Sequence, residues 1–295
     1  MFDAVLNRSF EPVLAVAFAE CWPLYPLEVI SVMELQNNRP ASSEHLVLDA
    51  SYHPVKGQSR TTVVRHFFDQ TQRYLGNNGN IEIRQQVVKE MVGNIQNANI
   101  LDLGCGNGSI ALQFLNELNH LTLVDVSQNM LEVARAETPP GLRRNVEYVN
   151  EDLALRVVSG KYDLVICLGV LAHVDAVEAT ITKIADMLKA DGRCILQITD
   201  ADQILGKLTG LYCGLRNQLS RRYPIAMNKT GARRVRSLAS QAKMKCLAER
   251  RYASPLPGMG QIPLTWRRKY QLFTLNTPWL SRHSAEVILL FAKIA

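Results

Sequence analysis

The chain has 295 residues, 47% of them apolar, which allows one large domain with elaborations or two small ones and excludes wholesale disorder. Its six cysteines, Cys21, Cys105, Cys167, Cys194, Cys213 and Cys246, are scattered without CxxC spacing, which argues against a disulfide framework or a zinc site and for reduced thiols in a cytoplasmic protein. The net charge of +6 is uneven: between Gln203 and Arg251 twelve Lys and Arg face one acid, Glu249, so this segment carries +11 and the rest of the chain −5.

Residues 1–60 show no clear period and read as an N-terminal extension, either a lid or a dimerisation arm through which an oligomer would form. Pro12 to Ala19 is an apolar run, but Asp3, Arg8 and Glu11 precede it in place of the positive n-region of a signal peptide. The stretch to Met33 is broken by Glu20, Pro23, Pro26 and Glu28 and does not read as a membrane span. From Thr61 a helical pattern runs through VVRHFFDQTQRYL to the Gly76-Asn77-Asn78-Gly79 cluster. A second helix, IEIRQQVVKEMVGNI, sets Ile81, Ile83, Val87, Val88, Met91 and Val92 largely on one face.

Strands and helices then alternate. NILDL reads as a strand, Ser109 to Leu118 as a helix, LTLVDV as a strand, and SQNMLEVARAE as a helix with Ser127 at its N-cap. VEYVNED alternates as a third strand, and YDLVICLGV is an almost wholly apolar fourth. VEATITKIADMLKA reads as a helix ended by Asp191-Gly192, and RCILQITD as a fifth strand. Helical segments follow at about Ile204 to Gln218 and Gly231 to Lys243, with KCLAERRYA and AEVILLFAKIA as sixth and seventh strand candidates. This alternation predicts an α/β fold with a mostly parallel sheet covered on both faces.

The loop after the first strand carries Gly104, Gly106 and Gly108. A dinucleotide fingerprint needs G-x-G-x-x-G, whose third position here is Ser109, and no Gly-Lys-Ser/Thr phosphate cradle follows. Asp102 lies two residues before the first glycine on an otherwise apolar strand, where it would repel a pyrophosphate but suit an ammonium group. Asp125 ends the second strand, 21 residues after Gly104, where an acid can accept both ribose hydroxyls. Asp152 closes the third strand, beside Leu153. Carboxylates at three neighbouring strand tips fit a cationic ligand that carries adenosine.

ILDLGCGNG, LVDVSQNML, VNEDL and YDLVICLGVLAHV together resemble the class I S-adenosylmethionine-dependent methyltransferases, over roughly Thr61 to Asp200. The resemblance implies a Rossmann-like sheet of seven strands in the order 3-2-1-4-5-7-6, the last antiparallel, with helices on both faces. It implies a methyltransferase domain over 61–295 with a basic helical lid inserted at about 201–243. Its cofactor would be S-adenosyl-L-methionine. Asp102, Gly104, Cys105 and Gly106 would then lie at the methionine end, and Asp125 at the ribose, with Val126 and Met130 beside the adenine. Asp152 would accept from the adenine amino group and Leu153 would pack on the ring. Cys167 and Leu168 would lie near the sulfonium, and Phe68 and Tyr74 on a helix that closes over the cofactor.

Methyl transfer needs alignment and exclusion of water, and needs a base only when the acceptor must lose a proton. His173, just after the fourth strand, is the candidate base, because an imidazole titrates near neutrality. It reads equally as a residue packed on the cofactor or capping the next helix. The basic segment is either a solvated helical surface or a lid that attracts an anionic acceptor, the small-molecule acceptor being an anionic or hydrophobic specialised metabolite or isoprenoid. LGKLTGLYCGLRNQLSRRYP and PLTWRRKYQLF mix apolar and cationic residues, so peripheral contact with a membrane surface is a further reading. An RNA methyltransferase and a non-catalytic S-adenosylmethionine-binding protein are the alternatives. Against nucleic acid stand the absence of a recognisable RNA-binding module and of an Asn/Asp-Pro-Pro-aromatic signature after strand four, which ends CLGV.

Overall fold

In the computed structural model the described residues are 60–69, 79–153, 160–203, 207, 228, 230–253 and 264–294. The N-terminal extension, Tyr74 and most of the expected lid lie outside them.

Apolar runs with no polar alternation must be covered on both sides, and the strands at the centre of the sheet are. Strands β1 (Asn99–Leu103), β2 (His120–Asp125), β3 (Val146–Asn150), β4 (Tyr162–Leu168) and β5 (Leu188–Thr199) run parallel. β7 (Glu286–Lys293) inserts antiparallel between β5 and β6 (Met244–Ala253), giving the order β3-β2-β1-β4-β5-β7-β6 expected of the family. Successive side chains alternate between two cores. Ile100, Leu164, Ile166, Ile195, Ile288 and Leu290 pack on one face with Ile83, Val87 and Val88 of helix α2 (Gly79–Val92). Leu101, Leu103, Val165, Cys167, Leu196 and Leu289 pack on the other with Ile181 and Ile184. Those two isoleucines lie on α5 (Val177–Met187), and Val235, Leu238 and Ala239 of α6 (Ala232–Gln241) join the same core.

Several helix ends differ from the expectation, and one lies beyond the described residues. Helix α1 spans Arg60–Asp69, and the predicted continuation to Leu75 lies outside the described residues. Helix α3 is only Ser109–Leu112, not the predicted run to Leu118. Asn116 Oδ1 accepts the Leu118 and Asn119 amides at 2.8 and 2.9 Å. The buried Asn119 side chain ties Phe114 O (2.8 Å), Ile95 O (3.0 Å) and the Ala98 amide (3.0 Å) together. Asparagine side chains thus offer the backbone a competing set of bonds that stops the helix.

Helix α5 ends at Met187, and Leu188 already pairs with Tyr162 of β4. Lys293 Nζ donates to the Ala185 and Leu188 carbonyls (2.8 and 3.0 Å), satisfying groups a longer helix would have used. Helices α7 (Leu264–Leu275) and α8 (Pro278–Ser281) were not anticipated. Their exposed Trp266, Phe273 and Trp279 obscure the amphipathic period on which a helix is read. In α4 (Gln128–Glu137), by contrast, Ser127 Oγ accepts the Met130 amide at 3.3 Å, the expected N-cap. No described helix is long and apolar enough to cross a membrane.

Candidate functional site

Parallel strands all end at one sheet edge, so the turns after β1, β2, β3 and β4 converge there. The β1 turn is built on positive φ, at Gly104 (69°), Gly106 (55°) and Gly108 (74°). A Cβ on Gly104 would collide with Val170 of the turn after β4, so only glycine lets these two turns meet. The Gly104 and Cys105 amides donate to Val124 O on β2 at 2.8 and 3.0 Å, which fixes the loop over the next strand.

Asp125, at the tip of β2, accepts the Gly106 amide at 2.8 Å and the Ser127 amide at 2.9 Å. These bonds hold its carboxylate in place, while burial raises its pKa overall. Asp102 is 3% exposed, and its Oδ2 has no hydrogen-bond partner among the described residues. Burial, and then the nearby charge of Asp125, push the Asp102 carboxyl up to about 8. A buried acid that is neither bonded nor paired is costly, and a cation entering beside it would relieve the cost. The same recess is lined by Gly104, Cys105, Asn107, Leu168 and Arg84. Asp102 is the one acid among these lining residues, and Arg84 the one cation.

The structure therefore brings Asp102, Gly104, Cys105, Gly106, Asp125 and Leu168 together. Cys167, one residue from Leu168, turns to the opposite face and is wholly buried in that core. Burial raises its thiol pKa above the ordinary range, and the side chain packs within that core. Met130 is fully buried, and Leu153 is buried against the β4 and α5 side of the core.

Helix α1 lies across the tips of β2 and β3, a role that its aromatic pattern only partly announced. Thr61 Oγ1 donates to Asp152 Oδ2 at 2.6 Å, and Arg65 Nε donates to Val126 O at 3.1 Å. Ser127 Oγ donates to Asp69 Oδ1 at 2.6 Å. At the same helix the Phe68 ring meets the His173 ring edge-on, with centroids 6.3 Å apart. His173 is held in the turn after β4 by its amide bond to Val170 O, 2.8 Å. Thr61, Arg65 and Asp69 escaped sequence reading because their partners lie 91, 61 and 58 residues away and nothing local marks them.

The basic segment is partly spent on structure. Arg251 pairs with buried Asp200 at 2.6 Å and with Glu249 at 2.8 Å, Arg236 pairs with Glu249, and Arg233 pairs with Asp202 at 3.3 Å. Burial raises the Asp200 pKa, but the Ala232 amide, Arg251 and the Asp202 amide outweigh it and hold the carboxyl below its usual range.

Comparison with known proteins agrees with this geometry. Residues 100–192 match the family model described as a methyltransferase domain. A ubiquinone biosynthesis O-methyltransferase of Rickettsia conorii is 30% identical over 128 residues, 42% of this chain and 44% of the relative. Its counterpart in Bordetella avium is 25% identical over 111 residues, 37% of this chain and 46% of the relative. The chain thus spans less than half the length of these relatives. Among solved structures, magnesium protoporphyrin IX methyltransferase of Synechocystis PCC 6803, with SAH bound, superposes with a TM-score of 0.57 at 18% identity, over 80% of this chain and all of that one. The [4+2]-cyclase SpnF superposes with a TM-score of 0.50 at 17% identity, over 72% of this chain and 80% of that one, so the fold also hosts other chemistry. Strand order and glycine turn are those of the class I S-adenosylmethionine-dependent methyltransferase fold, within which residues 100–192 match the methyltransferase-domain model.

Proposed function

We propose that this protein transfers a methyl group from S-adenosylmethionine to a hydroxyl oxygen of a small molecule. The observation that carries the reading is the buried, unbonded Asp102 Oδ2 beside the glycine turn, which fits the cofactor's ammonium. The O-methyltransferase relatives support oxygen as the acceptor atom.

When bound, the cofactor supplies a methyl group already activated by a sulfonium. Asp102 would hold the ammonium, and the open glycine turn would let backbone approach the methionine end. Asp125, fixed by the Gly106 and Ser127 amides, would accept the ribose hydroxyls. Asp152, bridged to α1 through Thr61, would accept from the adenine, with Val126, Met130 and Leu153 around the ring. α1 would shield the cleft from water, and holding the two reactants in line would lower most of the barrier. His173, at the turn after β4, would take the hydroxyl proton as it becomes acidic. The +11 segment would favour an anionic acceptor, including a hydrophobic one presented at a membrane surface.

The test is to incubate the purified chain with methyl-labelled cofactor and a metabolite extract, then read products by mass spectrometry. Label in a low-mass product, unaffected by ribonuclease, supports the reading. Label in RNA, or S-adenosylhomocysteine that fails to bind in calorimetry, overturns it.

A further inference from the structure

At the edge of the sheet face that carries Asp102, the apolar core gives way to polar groups on β5 and β7. Gln197 pairs in register with Leu168 of β4, which lines the Asp102 recess, and Thr199 pairs with Glu286. Because β7 runs antiparallel, its first residue, Glu286, lies at the same edge as the ends of β4 and β5. Glu286 Oε1 accepts from Thr199 Oγ1 at 2.6 Å, and its Oε2 accepts from Gln197 Nε2. Arg84 of α2, which also lines the Asp102 recess, adds a favourable charge to Glu286.

This arrangement leaves the Gln197 amide one orientation. A carboxylate can only accept, so the amide nitrogen must face Glu286 and the carbonyl oxygen must face away from it. Gln197 is 3% exposed, and its Oε1 has no hydrogen-bond donor among the described residues. That oxygen lies beside the turn leaving β4: a Cβ on Gly169 would sit 3.6 Å from it, and Gly169 has φ 77°. A buried acceptor without a donor calls for one from outside. It lies on the sheet face that carries Asp102, beside Gly169, the residue that follows Leu168.

We propose that Gln197 Oε1 accepts the hydroxyl hydrogen of the methyl acceptor, and that Glu286 is the positioning residue that locks the amide for this. The proposal rests on the O-methyl transfer reading above. It adds discrimination between substrate and product: the hydroxyl can donate to Gln197, and its methyl ether cannot. Gln197 therefore orients the hydroxyl in the bound complex, its single hydrogen passes to His173 during transfer, and the methyl ether has none left to donate. Burial raises the Glu286 carboxyl pKa against the pull of Arg84, Thr199 and Gln197, in keeping with its enclosure at the end of β7.

The test uses phenol and anisole, which differ by the methyl group the reaction would add, on the protein saturated with S-adenosylhomocysteine. Ligand-observed NMR titration should show phenol bound about tenfold more tightly than anisole, the usual worth of one buried hydrogen bond. In Gln197→Met the two probes should bind alike, with S-adenosylhomocysteine affinity unchanged by calorimetry. In Glu286→Gln the new amide lets Gln197 turn over, and the preference should fall to about threefold or less. Equal or undetectable binding of the probes to the wild-type complex, or a preference that survives Gln197→Met, overturns the assignment while leaving methyl transfer intact. S-adenosylhomocysteine that fails to bind the wild-type protein overturns the transfer reading itself, and this assignment with it.

Discussion

If Asp102 holds the cofactor's ammonium, binding must be coupled to its ionisation. Burial, and then the neighbouring Asp125, push its carboxyl up to about 8 because both disfavour its charge. The bound ammonium reverses this and pulls the pKa down, so binding releases a proton. A group with a pKa of about 8 is half ionised at pH 8 and about 1% ionised at pH 6. S-adenosylhomocysteine affinity should therefore fall about 50-fold between pH 8 and pH 6, or about 2.3 kcal/mol. Calorimetry in two buffers of different ionisation enthalpy would measure both the affinity and the proton released. In Asp102→Asn the affinity should be low and flat over the same range. The same acid acts on stability with a definite sign: its folded pKa lies above the unfolded one, so its contribution is fully present below about 4 and is lost as pH rises to about 8. Asp102→Asn should accordingly raise Tm at pH 8 and change it little at pH 4. A wild-type affinity that is level from pH 6 to 8, with no proton release, would refute the assignment of Asp102 to a cation.

Asp125→Ala should weaken S-adenosylhomocysteine binding about tenfold or more, from loss of charged acceptor bonds worth roughly 1.5–3 kcal/mol; unchanged affinity in a folded variant would exclude the ribose role. Gly104→Ala should destabilise the protein by about 1–3 kcal/mol through its φ of 69° and its collision with Val170, and Gly104→Ala with Val170→Ala should recover only the part due to collision in urea unfolding. His173→Ala should lower turnover about 100-fold with cofactor affinity intact, whereas a near-normal rate assigns the ring to packing against Phe68. Arg251→Ala should cost about 3 kcal/mol near neutral pH, because it leaves the buried Asp200 carboxylate with only the Ala232 and Asp202 amides. Asp200 has a depressed folded pKa, so this loss should shrink as pH falls through the acid range in which Asp200 protonates.

The parts legible in the sequence are those whose cause is local. An acid inside NILDL is conspicuous because every other inward position of β1 is apolar, and the glycines mark backbone that must take positive φ. Ser127 announces the start of α4 because a hydroxyl three residues before an amide is a local bond. Illegible were features set by the sheet's winding. Asn119 looks like an ordinary loop residue, yet its bonds to Ile95, Ala98 and Phe114 tie down the chain where α3 was expected to continue. Gln197 and Glu286 are 89 residues apart and become partners only because β7 inserts backwards beside β5. That inversion has a chemical consequence. In an all-parallel sheet each strand delivers its C-terminal residue to the cleft; an antiparallel strand delivers its N-terminal one. The edge facing the end of β5 is thus supplied by two strands running in opposite senses, and one buried amide is held there by a carboxylate from the other. A cofactor half read from strand tips in sequence order can meet an acceptor half assembled from residues nearly a third of the chain apart.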